Sequence, residues 1–297
     1  MIHLKKNKPY VEMEKICSGM VVIKNGMYQI IQLDQHFRTR KYGIWDSGNE
    51  KILDTICEYS KEFPNQLYGV LKLDTITVKQ LDILKSLKYF NDFIFIVPAA
   101  HYNCKLPDNV RILYASAELN YLPLEHMKIV SFENKINKIV WRGQYNNHAE
   151  TPCFRTLICN ELAKDERCDC KRVNASWQPP FNPDYRMPQS EQLKYKGIFV
   201  IDGGGWATTI SWALGSGCVP LICSMYWVGL QYELVPWKHY VPINPDMSDL
   251  HENVNWIFTH DEECKEIIKN ALEFYNSKMT NEYMFKKLKE ITFVSAS

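Results

Sequence analysis

Residues 197–222 read GIFVIDGGGWATTISWALGSGCVPLI. The first five are mostly apolar and rich in β-branched and aromatic types, which predicts a buried strand. Asp202-Gly203-Gly204-Gly205 stands at its end. Residues 206–214 read as a helix closing at Gly215 and Gly217, and 218–222 read as the next strand. Strand, glycine turn, helix and strand make a βαβ unit with a parallel strand pair. Glycines at such a point let the backbone turn sharply and approach a ligand. Free N–H groups at the start of the next helix favour an anion such as a diphosphate. The pattern is neither a GxxxxGK[ST] loop nor a GxGxxG fingerprint, and a plain structural turn fits the same residues.

The rhythm extends in both directions. Upstream, 138–141 (KIVW) read as a strand entering Arg142-Gly143, and 152–163 as a helix. Downstream, 260–276 and 281–290 are charged amphipathic helices. The first half repeats the pattern: a hairpin over 19–33 turning at Asn25-Gly26, a helix at 50–60, a strand at 67–73 ending at Asp74, a helix at 78–88 and a strand at 92–97. Two α/β modules are expected, 1–135 and 136–297, with the Pro- and Asn-rich stretch 174–190 as a loop.

The composition suits this. The chain has 297 residues, 46% hydrophobic and 23% charged, which is enough for two packed domains. A formal net charge of +1 argues against a dedicated nucleic-acid binder but leaves room for a local basic pocket. No signal-peptide core and no long apolar run are present, so a soluble, cytoplasmic protein is expected. Ten cysteines without a secretory signal read as free thiols. Cys168-Asp169-Cys170 lacks the paired Cys-x2-Cys spacing of a zinc site.

In open α/β sheets ligands bind beyond the carboxyl ends of the strands. Three strand ends qualify: Asp74, Arg142-Gly143-Gln144 and the glycine run. Arg142 and Arg155 are suited to forked contacts with a diphosphate, although an ordinary salt bridge accounts for either. Asp74 can serve as a general base or merely cap a helix; His101, His148 and His239 are alternative bases. Trp206, Tyr226 and Trp237 are candidate sugar or uridine contacts, with core packing the favoured reading of Trp237.

The ordered set Trp141-Arg142-Gly143 with Arg155, Glu191 to Lys196, Asp202 to Trp206, Pro236 to Pro242, Ser248-Asp249-Leu250, Trp256 and His260 to Glu263 resembles the CAP10/Rumi-type glycosyltransferases, family 90. The match covers residues 137–275; the N-terminal half is similar only weakly. The resemblance implies a GT-B fold, with two Rossmann-like domains facing across a cleft. It implies an inverting transfer from UDP-xylose or UDP-glucose to a hydroxyl of a glycan acceptor, with no cofactor or obligatory metal. Asp74 matches the family's base and Arg155 its diphosphate arginine. Arg142, Gly143 and Gln144 would complete the donor site with Gly203, Gly204, Gly205, Trp206, Ala207, Thr208 and Thr209.

Thr209 departs from the second phosphate arginine of animal members, and their targeting signals are missing. A microbial or large-DNA-virus member is expected. The alternatives are a dinucleotide-dependent oxidoreductase and a non-catalytic glycan-binding relative.

Overall fold

The computed structural model describes residue 17 and residues 19–32, 50–73, 75–112, 128–144, 154–173, 185–203, 207–224, 226–227, 229 and 233–293. The chain divides into two compact units. One comprises Met1–Asn120, Tyr226–Tyr232 and Asn281–Ser297; the other comprises Tyr121–Met225 and Glu233–Thr280. The division is therefore not the single cut expected near residue 135. The helix Asn281–Phe293 returns to the first unit, where Leu288 joins Val21, Ile23, Ile52, Ile56 and Tyr68 in one core. Amphipathic spacing shows that a helix buries a face, not which sheet receives it.

The first unit holds a five-stranded sheet. Its strands are β1 (Gly19–Lys24), β2 (Met27–Gln32), β3 (Leu67–Lys72), β4 (Phe93–Val97) and β6 (Val110–Ile112), in the order β2-β1-β3-β4-β6. The expected hairpin forms. Asn25 and Gly26 take φ of 46° and 74°, the left-handed pair a two-residue hairpin turn needs. Only β3, β4 and β6 run parallel; β1 pairs antiparallel with both neighbours, so the parallel rhythm holds for half of this sheet. Thr77 starts the helix Val78–Lys85 with a capping box. Its hydroxyl accepts the Gln80 N–H at 3.3 Å, and the Gln80 side chain accepts the Thr77 N–H at 2.9 Å. A two-residue strand, β5 (Ala100–His101), pairs antiparallel with Tyr226–Trp227, which is β11 in chain order.

The second unit holds a wholly parallel sheet. Its strands are β7 (Ile136–Gly143), β8 (Cys168–Arg172), β9 (Tyr195–Ile201), β10 (Val219–Cys223) and β12 (Val241–Pro242), in the order β12-β10-β9-β7-β8. Ile139, Trp141, Phe199, Ile201, Val219 and Leu221 from its inner strands pack with Ile158 and Leu162 and with Val254, Ile257, Cys264 and Ile267 from the C-terminal helices. Alternating sheet faces explain why the central strands read as near-continuous apolar runs: both sides are covered.

Two features depart from expectation. The helix expected over 206–214 is a single turn, Ile210–Ala213. β8 was not legible, because an edge strand reading Cys-Asp-Cys-Lys-Arg offers no apolar alternation. All nine cysteines among the described residues are free thiols.

Candidate functional site

The second sheet has a switch point between β7 and β9. From β7 the chain moves to β8 on one side; β9, β10 and β12 then fill the other side. Connections leaving adjacent strands in opposite directions open a crevice at the strands' carboxyl ends, the usual ligand position in such sheets.

Arg155, on the helix Phe154–Glu161, spans that crevice. Its Nε donates to the Ile201 carbonyl that ends β9 at 3.1 Å, and one terminal nitrogen donates to the Gln144 carbonyl just beyond β7 at 2.9 Å. Its guanidinium carbon lies 5.6 Å from the Trp141 ring centroid, within cation–π range. Trp141 is the buried floor beneath the charge, and two glycines make room around it. A Cβ on Gly143 would lie 2.3 Å from the Trp141 ring, and one on Gly203 would lie 2.8 Å from the Arg155 guanidinium carbon. Both glycines are needed for close approach, and Trp141 is a site residue that the sequence placed only in a motif.

Arg142 does something else. Successive residues on a strand face opposite ways, so Arg142 points away from the Trp141–Gly143 face. Its side chain is 7% exposed, and it donates to the Asp169 carboxylate at 2.7 Å and to the Trp141 carbonyl at 2.9 Å. The Tyr195 hydroxyl donates to the same carboxylate at 3.0 Å. Of the two arginines proposed for a diphosphate, this one makes the structural ion pair instead, and it braces the strand that carries Gly143.

Burial pushes the Asp169 carboxyl up, but the Arg142 hydrogen bond and charge outweigh it and hold the group below its ordinary value. A depressed carboxyl contributes stability above its unfolded pKa of about 4, and that contribution is lost as pH falls through the folded value. Asp169→Ala leaves a buried arginine unpaired and is expected to cost ~3–5 kcal/mol in urea unfolding. A loss below ~1 kcal/mol would remove the bracing role.

The glycine run is anchored at its exit. One Asp202 oxygen accepts the Ala207 N–H at 2.6 Å and the other accepts the Ser224 hydroxyl at 2.6 Å, with the aspartate almost wholly buried. The Ala207 N–H, expected to meet a diphosphate, is thereby committed to Asp202. Asp202 reads in the sequence as a strand end; its clamping role needs the β9–β10 pairing, which the sequence does not display. Thr208 is exposed and Thr209 half-buried at the start of the one-turn helix. Gly204, Gly205 and Trp206 lie outside the described residues, as do Asp74 and His148.

Two other expectations change. His239 is buried; its Nδ1 accepts the Val235 N–H at 2.9 Å and its ring packs on Phe274, so it serves the fold. Trp237, favoured as core, is 44% exposed at φ 63° and meets Trp256 edge-on at 4.9 Å. Among the described residues no three His, Cys, Asp or Glu side chains gather to hold a metal, and no helix is long and apolar enough to cross a membrane.

The fold and site thus define an α/β protein of two units, one with a mixed sheet and one with a wholly parallel sheet that holds an arginine at its switch point. The chain belongs to glycosyl transferase family 90, whose model matches residues 110–292. It is 28% identical over 156 residues to protein O-glucosyltransferase 2 of Danio rerio, covering 52% of this chain and 31% of that protein. It is 27% identical over 147 residues to the O-glucosyltransferase LpsA of Dichelobacter nodosus, covering 48% of this chain and 44% of that one. It is 33% identical over 106 residues to the uncharacterized protein 035R of Invertebrate iridescent virus 3, covering 35% of this chain and 10% of that protein. The chain spans less than half the length of each of these relatives.

Proposed function

We propose that the protein is an inverting glycosyltransferase that moves glucose or xylose from a UDP-sugar to a hydroxyl of a glycan acceptor. The observation that carries this reading is the Arg155 guanidinium fixed across the β7–β9 switch point beside Gly203. Held by two backbone carbonyls over an aromatic floor, it meets growing negative charge without having to reorganise first. Family membership supports the transfer chemistry, and protein O-glucosyltransferase 2 and LpsA support glucose as one donor sugar to test.

In this reading the diphosphate of the donor lies against Arg155 and the N–H groups of Gly203 to Gly205. Asp74, which follows β3 in the sequence, takes the proton from the acceptor hydroxyl as its oxygen attacks the anomeric carbon. The bond to the diphosphate oxygen breaks as the new glycosidic bond forms on the opposite face. Charge passes to the departing UDP, where Arg155 stabilises it. The transition state is oxocarbenium-like, as in glycoside hydrolysis.

A panel of UDP-sugars, assayed for UDP release with and without glycan acceptors, tests the reading. Release from UDP-glucose or UDP-xylose, raised by an acceptor, is expected; no release from any donor would reject it. Because the departing charge is assigned to Arg155, release is expected to persist in EDTA. Activity lost in EDTA and restored by manganese would assign that charge to a metal.

A further inference from the structure

A nucleoside diphosphate brings two ionised phosphates. Arg142, one of the two arginines expected to meet them, is committed to Asp169. Another arginine stands at the same crevice. Arg172 ends β8, next to the carboxyl end of β7. It is the register partner of Gly143, and the Val173 N–H that follows it donates to the Gly143 carbonyl at 2.8 Å. The root of its side chain is therefore pinned to the strand that forms the switch point.

Pleat and pairing fix its direction. Directly paired residues share a face, so Cys170 and Arg172 lie on the face of Trp141 and Gly143. Lys171 between them turns the other way and meets the Asp169 carboxylate at 3.3 Å. The helix Phe154–Glu161 covers the Trp141 face: its Ile158 and Cys159 share a core with Trp141, and Cys170 packs against that core. On this helix the Thr156 hydroxyl accepts a hydrogen bond from Arg172 at 3.2 Å. Thr156 is the residue after Arg155. Arg155 leans toward β9, where it grips the Ile201 carbonyl; Arg172 comes from β8, with Gly143 of β7 between them. Two guanidinium groups thus flank β7 at its carboxyl end, on the face that carries the first turn of this helix. Arg172 is exposed, so its charge is open to a ligand.

We propose that Arg172 is a second donor-binding residue, which holds the α-phosphate of the UDP-sugar while Arg155 holds the β-phosphate from which the sugar departs. In doubly wound nucleotide-binding sheets the end of the second strand meets the ribose side of the ligand, and β8 is the second strand of this unit. The α-phosphate is the one next to the ribose. A guanidinium has several N–H donors in a fork, so Arg172 bonds a phosphate oxygen and keeps Thr156 as well. This inference rests on the UDP-sugar reading.

Calorimetry with UDP, UMP and uridine on the unaltered chain, Arg172→Gln, Arg172→Lys and Arg155→Ala tests it. Arg172→Gln should weaken UDP and UMP alike, roughly three- to tenfold for a contact screened by solvent and salt, with uridine affinity and melting temperature unchanged. Arg172→Lys keeps the charge and should recover part of the loss. Arg155→Ala should weaken UDP more than UMP. A loss for UDP alone in Arg172→Gln would overturn the proposal by putting Arg172 on the β-phosphate. A loss shared by uridine would make Arg172 structural and overturn it too. UDP affinity that falls in Arg155→Ala and stays unaltered in Arg172→Gln would reject this inference alone. No UDP binding by the unaltered protein would reject the donor reading, and this inference with it.

Discussion

Asp74→Asn is expected to reduce sugar transfer by about 10²–10⁴-fold, the range a positioned general base supplies. The amide keeps the shape of the carboxylate but cannot take the acceptor proton, so the hydroxyl must attack without losing it. UDP affinity should be unchanged, since donor binding is assigned to Arg155 and the glycine run in the other unit. The separation of the two readouts makes the test specific. Transfer retained at the unaltered rate would reject Asp74 and return attention to His101, which is half-buried and neutral near pH 7. Transfer and UDP affinity lost together would mark Asp74 as structural.

Gly203→Ala should weaken UDP binding roughly tenfold or more, equivalent to ~1.4 kcal/mol per tenfold, without a matching loss of stability. The added methyl would stand 2.8 Å from the Arg155 guanidinium carbon and 3.0 Å and 3.1 Å from its terminal nitrogens. These atoms end a flexible side chain, so the arginine swings aside rather than the backbone yielding. The fold survives, but the charge leaves the switch point. The effect therefore acts through Arg155, and adding Gly203→Ala to Arg155→Ala should cost little more than Arg155→Ala alone. Fully additive losses in that double-mutant cycle would mean that the methyl disturbs the donor directly and not through Arg155.

Much of this was legible in the sequence because the second sheet is parallel and covered on both sides. Buried strands such as Tyr195–Ile201 and Val219–Cys223 show as apolar runs, and Asp202-Gly203 marks where one ends. The Asn25-Gly26 hairpin was legible because few residues take φ above zero twice in succession. What escaped depends on partners distant in sequence. Whether Arg142 or Arg155 faces the crevice is decided by the pleat of β7 and by Asp169 on the neighbouring strand, 27 residues away. The commitment of the Ala207 N–H to Asp202 needs the β9 end and the loop exit to meet. Likewise, the return of the last helix to the first unit is set by which sheet its apolar face fits.

The central claim is that a UDP-sugar is held through its diphosphate by Arg155 at the β7–β9 switch point. Calorimetric titration of UDP into the unaltered protein and into Arg155→Ala tests it most directly. A charge-assisted hydrogen bond is worth ~1.5–3 kcal/mol, so the variant should bind UDP roughly 10- to 150-fold more weakly, with uridine affinity unaltered in both proteins. Equal UDP affinity in the two proteins, or no UDP binding by the unaltered one, would contradict it.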